Sequence, residues 1–340
     1  MLKYLIPFLI AFLLTSFFIF IINLVARKIS WAERISERHI HRKNIYRVGG
    51  VAMVVAFNIS ILFNYDLVLT PELVGFMVAS MILMVVGVWD DFRELFWKTQ
   101  LFFQMAIAVF IFIVGVRIYY ITNPITGGVI NLDLGGTVLI ALGLVIFWVV
   151  LVMNAINWLD GVDGLSGGIT LISLITIFFL SFRPEVNQPP VAIIAAALIG
   201  TSLGFLIFNF NPAKVLAGTS GSFFMGLSLS VLAIFSGTKI ATAVLVLAIP
   251  ILDFIWVIGE RIKNKKSIFK ADKNHLHHKL LEIGWSQKKI ATTYYFITLV
   301  IAFVALNTRA IGKSVTLIIF GLIMVVVSWE INRRIKKLHS

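Results

Sequence analysis

Apolar runs on the scale of a bilayer recur along the whole chain, and they leave few folds open. A helix needs roughly 20 apolar residues to cross a membrane, where no water can satisfy free backbone N–H and C=O groups. Eleven transmembrane spans are expected, at about 4–25, 49–64, 73–89, 101–121, 137–153, 168–182, 190–208, 222–237, 240–258, 290–307 and 314–329. Composition agrees: 59 % of residues are hydrophobic, 13 % are charged, and mean hydropathy is +0.98. A soluble domain carries about 25 % charged residues. Disorder and coiled coil are excluded on the same ground, and with no Cys a disulfide scaffold is excluded too. The first run has no small-residue cleavage site and reads as a span, not as a signal peptide. The expectation is an all-α polytopic integral membrane protein, one membrane-embedded unit over 1–340.

A net charge of +13 would suggest nucleic acid in a soluble chain. Here it follows the positive-inside rule: 23 of the 29 Lys and Arg fall on one side when loops between runs are taken alternately. That predicts an outside N-terminus, a cytoplasmic C-terminus and no nucleic-acid partner. The basic stretches 26–48 and 259–289 would then face anionic headgroups or phosphates in the cytoplasm. Outside, residues 122–136, with Gly127 and Gly128, read as a small hairpin.

Carboxylates are expensive near a bilayer, and five Asp lie in or beside the spans: Asp90, Asp91, Asp160, Asp163 and Asp253. Adjacent acids such as Asp90 and Asp91 repel unless a cation compensates them. A divalent metal with hard oxygen ligands, Mg²⁺ or Mn²⁺, would do so; a solvated helix end with an Asp cap is the plainer reading. Asp160 and Asp163 fall three apart in a Gly-rich loop with no Lys or Arg, where a cation or a ligand's donors would be needed. The stretch from Asn209 through Lys214 to Gly218, Thr219, Ser220 and Ser222 brings small residues and backbone N–H groups to the start of a span, a nest suited to phosphate. Three His, His275, His277 and His278, sit among lysines; with no Cys they suit phosphate oxygens better than zinc. On a helix His275 and His278 would share a face, with His277 pointing elsewhere. The loops 26–48, 90–100, 154–167, 209–221 and 259–289 thus share one side, and together they read as a phosphoryl-transfer site.

These motifs resemble the polyprenyl-phosphate N-acetylhexosamine-1-phosphate transferases, the MraY/WecA type, over nearly the whole chain. The resemblance rests on Asp90-Asp91, the Asn154 to Leu165 stretch, Phe208-Asn209 with Pro212-Ala213, Pro250 with Asp253, and His275 with His277-His278. The arm from Asp272 to Gln287 is similar to the WecA/TagO branch. What the resemblance implies is transfer of GlcNAc-1-phosphate from UDP-GlcNAc to undecaprenyl phosphate, with Mg²⁺, in a bacterial cytoplasmic (inner) membrane. It would open cell-envelope glycan synthesis from the cytoplasmic face, and a homodimer is implied by analogy. It implies Asp90 orienting the lipid phosphate beside Asp91, and Asn157, Asp160, Asp163 and Asn209 at the uridine or diphosphate. It also implies the three His and Arg47 on phosphates or sugar, and metal held by Asp91, Asp163 and residue 219.

At that last position the family pattern is Gly-Asp-x-Gly-Ser, whereas this chain reads Gly218-Thr219-Ser220-Gly221-Ser222. A neutral hydroxyl is worth far less to Mg²⁺ than a carboxylate. The pattern therefore also admits a phospho-MurNAc-pentapeptide transferase, or a catalytically impaired relative that binds nucleotide or lipid. A transporter would line its spans with ionisable groups. Only Asp253 and Arg117 lie so here.

Overall fold

The structure, a computed structural model, describes residues 1–28, 45–122, 128–132, 135–237, 240–265, 267 and 274–338. Each of the eleven apolar runs becomes helix: α1 (Leu2–Lys28), α2 (Gly49–Leu62), α3 (Pro71–Arg93), α4 (Trp97–Ile113), α5 (Thr137–Leu159), α6 (Leu165–Leu180), α7 (Pro189–Asn209), α8 (Gly218–Phe235), the pair α9 (Ile240–Val246) and α10 (Ala248–Lys263), α12 (Gln287–Asn307) and α13 (Ala310–Leu338). A short α11 (Leu276–Glu282) lies between α10 and α12. By length and composition seven of these can cross a membrane, and an eighth if the α9–α10 pair counts as one span. The apolar helices α2, α4 and α6 are shorter.

Large apolar side chains stand exposed along α1, α4, α12 and α13, among them Phe17, Phe102, Phe303 and Leu322. An exposed apolar belt of that extent is lipid-facing surface. The protein is a multi-pass membrane protein.

Two runs differ from the reading of the sequence, for local reasons. The run 240–258 is not one straight helix: α9 and α10 meet at 76° around Leu247. Pro250 lacks the N–H that Val246 would accept, and its ring crowds that carbonyl. The run 101–121 stops as helix at Ile113, because Gly115 takes φ +111 against Glu72. Beyond it β1 (Tyr120–Thr122) pairs antiparallel with β2 (Val129–Asn131), which is the expected hairpin.

Helix α8 is the hub, buried from Gly218 through Ile234. Its small residues let neighbouring backbones approach closely, the usual device where apolar burial cannot drive helices together. A Cβ on Gly50 would lie 2.2 Å from Gly221 N, one on Gly87 2.3 Å from Ser220 N, and one on Gly226 2.5 Å from Met153 Cα. These contacts seat α2, α3 and α5 around α8. A parallel bridge between Tyr46 and Val215 continues into Gly49 N–H to Leu216 O and Gly50 N–H to Ala217 O. It ties the approach to α2 to the approach to α8, so Arg47 arrives at the start of α8.

Candidate active site

The C-terminal ends of α3, α5 and α7 meet the N-terminal ends of α6, α8, α11 and α12. Asp90 and Asp91, on the last turn of α3, meet the first turn of α8. Asp90 Oδ1 accepts from Leu95 N–H and Gln100 Nε2, each at 2.8 Å, and Asp90 Oδ2 from Thr219 Oγ1 at 2.6 Å. Asp91 Oδ1 accepts from Arg47 Nη1 and from Thr219 N–H, both at 3.1 Å. So the group at the start of α8 is the Asp91 carboxyl itself, at the place where the sequence suggests a phosphate nest. Gly218, at φ +68, allows this: a Cβ there would lie 2.4 Å from Asp91 Oδ2. Ser220 is packed with no exposure between the backbones at Gly50 and Gly87.

A second group forms around the turn from α5 to α6. Asp163 Oδ2 accepts from Asn211 Nδ2 at 2.8 Å and Ala213 N–H at 3.0 Å, and its own N–H donates to Gln287 Oε1 at 2.9 Å. Asn209 is a strap: Oδ1 takes Gly164 N–H and Nδ2 donates to Val215 O, each at 3.0 Å, so its amide is spent on backbone. Tyr295 OH donates to Gly164 O while its ring fills the space beside Gly168. Asp160 accepts from Ser166 Oγ. Lys214 is exposed, its backbone N–H closing the turn on Phe208 O. Asn157 links the two groups, accepting from Ser222 Oγ at 2.7 Å one turn before Asp160.

The histidines divide by role. His275 stands just ahead of α11 and pairs through Nδ1 with Asp253 Oδ2 at 2.9 Å, while Asp253 Oδ1 takes Leu276 N–H at 2.9 Å. Asp253 therefore caps α11, and His275 fastens it to α10 with its ring edge-on to Trp158. Contrary to a helical spacing, His277 and His278 both approach Gly161, whose Cβ would lie 3.2 and 3.3 Å from their Nε2 atoms. His277 is fully buried, and burial, reinforced by His278 and His275, holds its pKa well below 6.5. It is a neutral packing group, which leaves the half-buried His278 as the ring able to meet a ligand.

A depressed folded pKa means that the unfolded chain takes up this proton first as pH falls. Stability should be highest above 6.5 and should drop below it, by up to about 1.4 kcal/mol per pH unit. Thermal midpoints of the chain and of His277→Phe across that range check this, and an equal slope in both would overturn it.

Beside Asp90 opens a cavity of about 690 Å³. Its lining mixes polar side chains, among them Arg47, Asp90, Glu94, Gln100, Gln104 and Asn157, with apolar ones such as Phe96, Leu101, Val150, Trp158, Phe254 and Ile258. Gln100, Gln104 and Tyr295 belong to none of the motifs read from the sequence. Gln104 carried a usable signal, an amide in an apolar run, and it pairs with Asn154 at 2.6 Å. The basic residues Arg34, Arg38, His39, His41, Arg42 and Lys43, and Asp272 of the arm, lie outside the described residues.

The residues present do not fit a resident Mg²⁺ or Mn²⁺. Among the described residues no three His, Asp or Glu come together with metal-ligand spacing. Asp90 and Asp91 already carry protein donors, and position 219 offers a hydroxyl that donates to Asp90.

The family model for glycosyl transferase family 4 matches residues 73–237. A Bacillus subtilis protein named "Probable undecaprenyl-phosphate N-acetylglucosaminyl 1-phosphate transferase" is 30 % identical, over 99 % of this chain and 95 % of its own length. A Mycobacterium leprae decaprenyl-phosphate N-acetylglucosaminephosphotransferase is 30 % identical over 88 % of this chain and 82 % of its own. A Clostridioides difficile phospho-N-acetylmuramoyl-pentapeptide-transferase is 26 % identical, over 79 % and 85 % respectively.

Proposed function

Because the chain belongs to the polyprenyl-phosphate N-acetylhexosamine-1-phosphate transferases, on their WecA/TagO-like branch, we propose that UDP-GlcNAc is its donor and undecaprenyl phosphate its acceptor. A lipid-phosphate oxygen attacks the β-phosphorus of the donor. The bond from that phosphorus to the oxygen bridging to the α-phosphate breaks, UMP leaves, and undecaprenyl-diphospho-GlcNAc remains. The reaction takes place at the cytoplasmic face of a bacterial inner membrane and opens envelope glycan synthesis.

The cavity beside Asp90 carries this reading. Its apolar side chains suit an isoprenoid chain, and the Arg47 guanidinium among its polar ones suits the lipid's phosphate. A phosphate monoester has its second pKa at about 6, so at neutral pH the acceptor is already largely dianionic and needs positioning more than deprotonation. Asp90, with three donors on its carboxylate, is arranged to orient rather than to take a proton. The loop with Asp160, Asp163 and His278 would receive the nucleotide sugar on the other side of Asn157.

The test is UMP release by the full chain in detergent or vesicles. UDP-GlcNAc plus undecaprenyl phosphate should release UMP, and omission of the lipid should stop it. Release only with UDP-MurNAc-pentapeptide would replace the donor; silence with both, on folded protein, would overturn the reading.

A further inference from the structure

The manner in which Asp90 and Asp91 are compensated has a consequence for cations. Two neighbouring carboxylates need positive charge or donors to stay ionised together. Here the protein supplies both. Thr219 acts twice, its Oγ1 on Asp90 Oδ2 and its N–H on Asp91 Oδ1. Arg47 brings a full positive charge to Asp91, delivered by the bridge between Tyr46 and Val215. Gln100 and Leu95 N–H complete Asp90.

What this leaves for a metal is little. Asp91 Oδ2 is buried and has no hydrogen-bond partner among the described residues, so it is closed to solvent. Mg²⁺ asks for octahedral oxygens at about 2.0–2.1 Å and keeps its waters. One enclosed oxygen beside a guanidinium cannot meet that demand, and the guanidinium repels the ion.

We infer that Thr219 and Arg47 stand in place of a resident cation: the acid pair holds no divalent metal by itself, and a metal ion reaches it only as the counter-ion of a diphosphate-bearing ligand. The first half rests on the clasp alone; the second rests on the donor proposed above.

Mn²⁺ reports on this directly, because its free-ion electron paramagnetic resonance signal is lost on binding. With Mn²⁺ alone, the full chain in detergent should leave the free-ion signal intact, and Mn²⁺ should not raise its thermal midpoint. Thr219→Asp breaks the hydroxyl clasp and adds a third carboxylate. It should take up Mn²⁺ at least about tenfold more tightly, the scale on which even outer partners alter metal affinity, and Mn²⁺ should stabilise it. Should Thr219→Asp fail to fold, Arg47→Gln removes the competing charge and should also bind Mn²⁺ more tightly than the parent. Stoichiometric uptake by the parent chain alone, lost in Asp91→Asn, would overturn the inference. Uptake that appears only when UDP-GlcNAc is added supports both halves. No uptake with or without UDP-GlcNAc leaves the clasp standing and counts against the donor.

Discussion

Asp163→Asn should fold normally and lose transfer by at least about 10²-fold, the scale of removing one preorganised electrostatic group. Asp163→Ala should lose transfer and stability together. The difference lies in the work of Oδ2, which receives Asn211 Nδ2 and Ala213 N–H and so pins the turn after α7 onto the turn before α6. An amide oxygen can keep both bonds while the charge disappears. A methyl keeps neither, and each donor left unsatisfied costs about 1–3 kcal/mol. UMP release and thermal unfolding on the two variants separate the fastening from the charge. Near-parental turnover by Asp163→Asn would take its charge out of the reaction.

Gly87→Val should be the most damaging change outside the acids. A Cβ alone would lie 2.3 Å from both N and Cα of Ser220, which are backbone atoms of the hub helix and cannot rotate aside. Overpacking of this kind costs about 1–3 kcal/mol. The larger effect is on chemistry, because Ser220 follows Thr219: pushing the start of α8 from α3 parts Thr219 from Asp90. A displacement of about 1 Å at reacting groups costs about 10²-fold. Gly143→Ala on α5 is the matched control, since nothing lies within 4 Å of its added Cβ. Equal activity in both variants would mean that the α3–α8 contact does not hold the site together.

Much of this architecture is legible in the chain because the bilayer is a severe solvent. It admits a spanning backbone here only as helix, so eleven apolar runs translate into helices with little ambiguity. The hairpin at 120–131 and the kink at Pro250 follow from equally local chemistry, although the kink was not foreseen in the run 240–258. Carboxylates stand out against such a background, and that is why Asp90, Asp91, Asp160 and Asp163 could be singled out.

The partners of those acids were another matter. His275 looks like a ligand from its neighbours, yet it is fastened to Asp253, 22 residues away. Asn209 looks like a substrate contact and is a backbone strap to Gly164, 45 residues away. Thr219 reads in the sequence as a phosphate contact and as a missing carboxylate; in the fold its hydroxyl and N–H close on Asp90 and Asp91, 129 and 128 residues away. Spans, the hairpin and the acids were set by local pattern, because apolar length, glycine and charge act on the solvent around each segment separately. Which donors answer which acid was decided only by tertiary structure, because a hydrogen bond depends on ångström-scale distances that helix packing, not sequence spacing, determines.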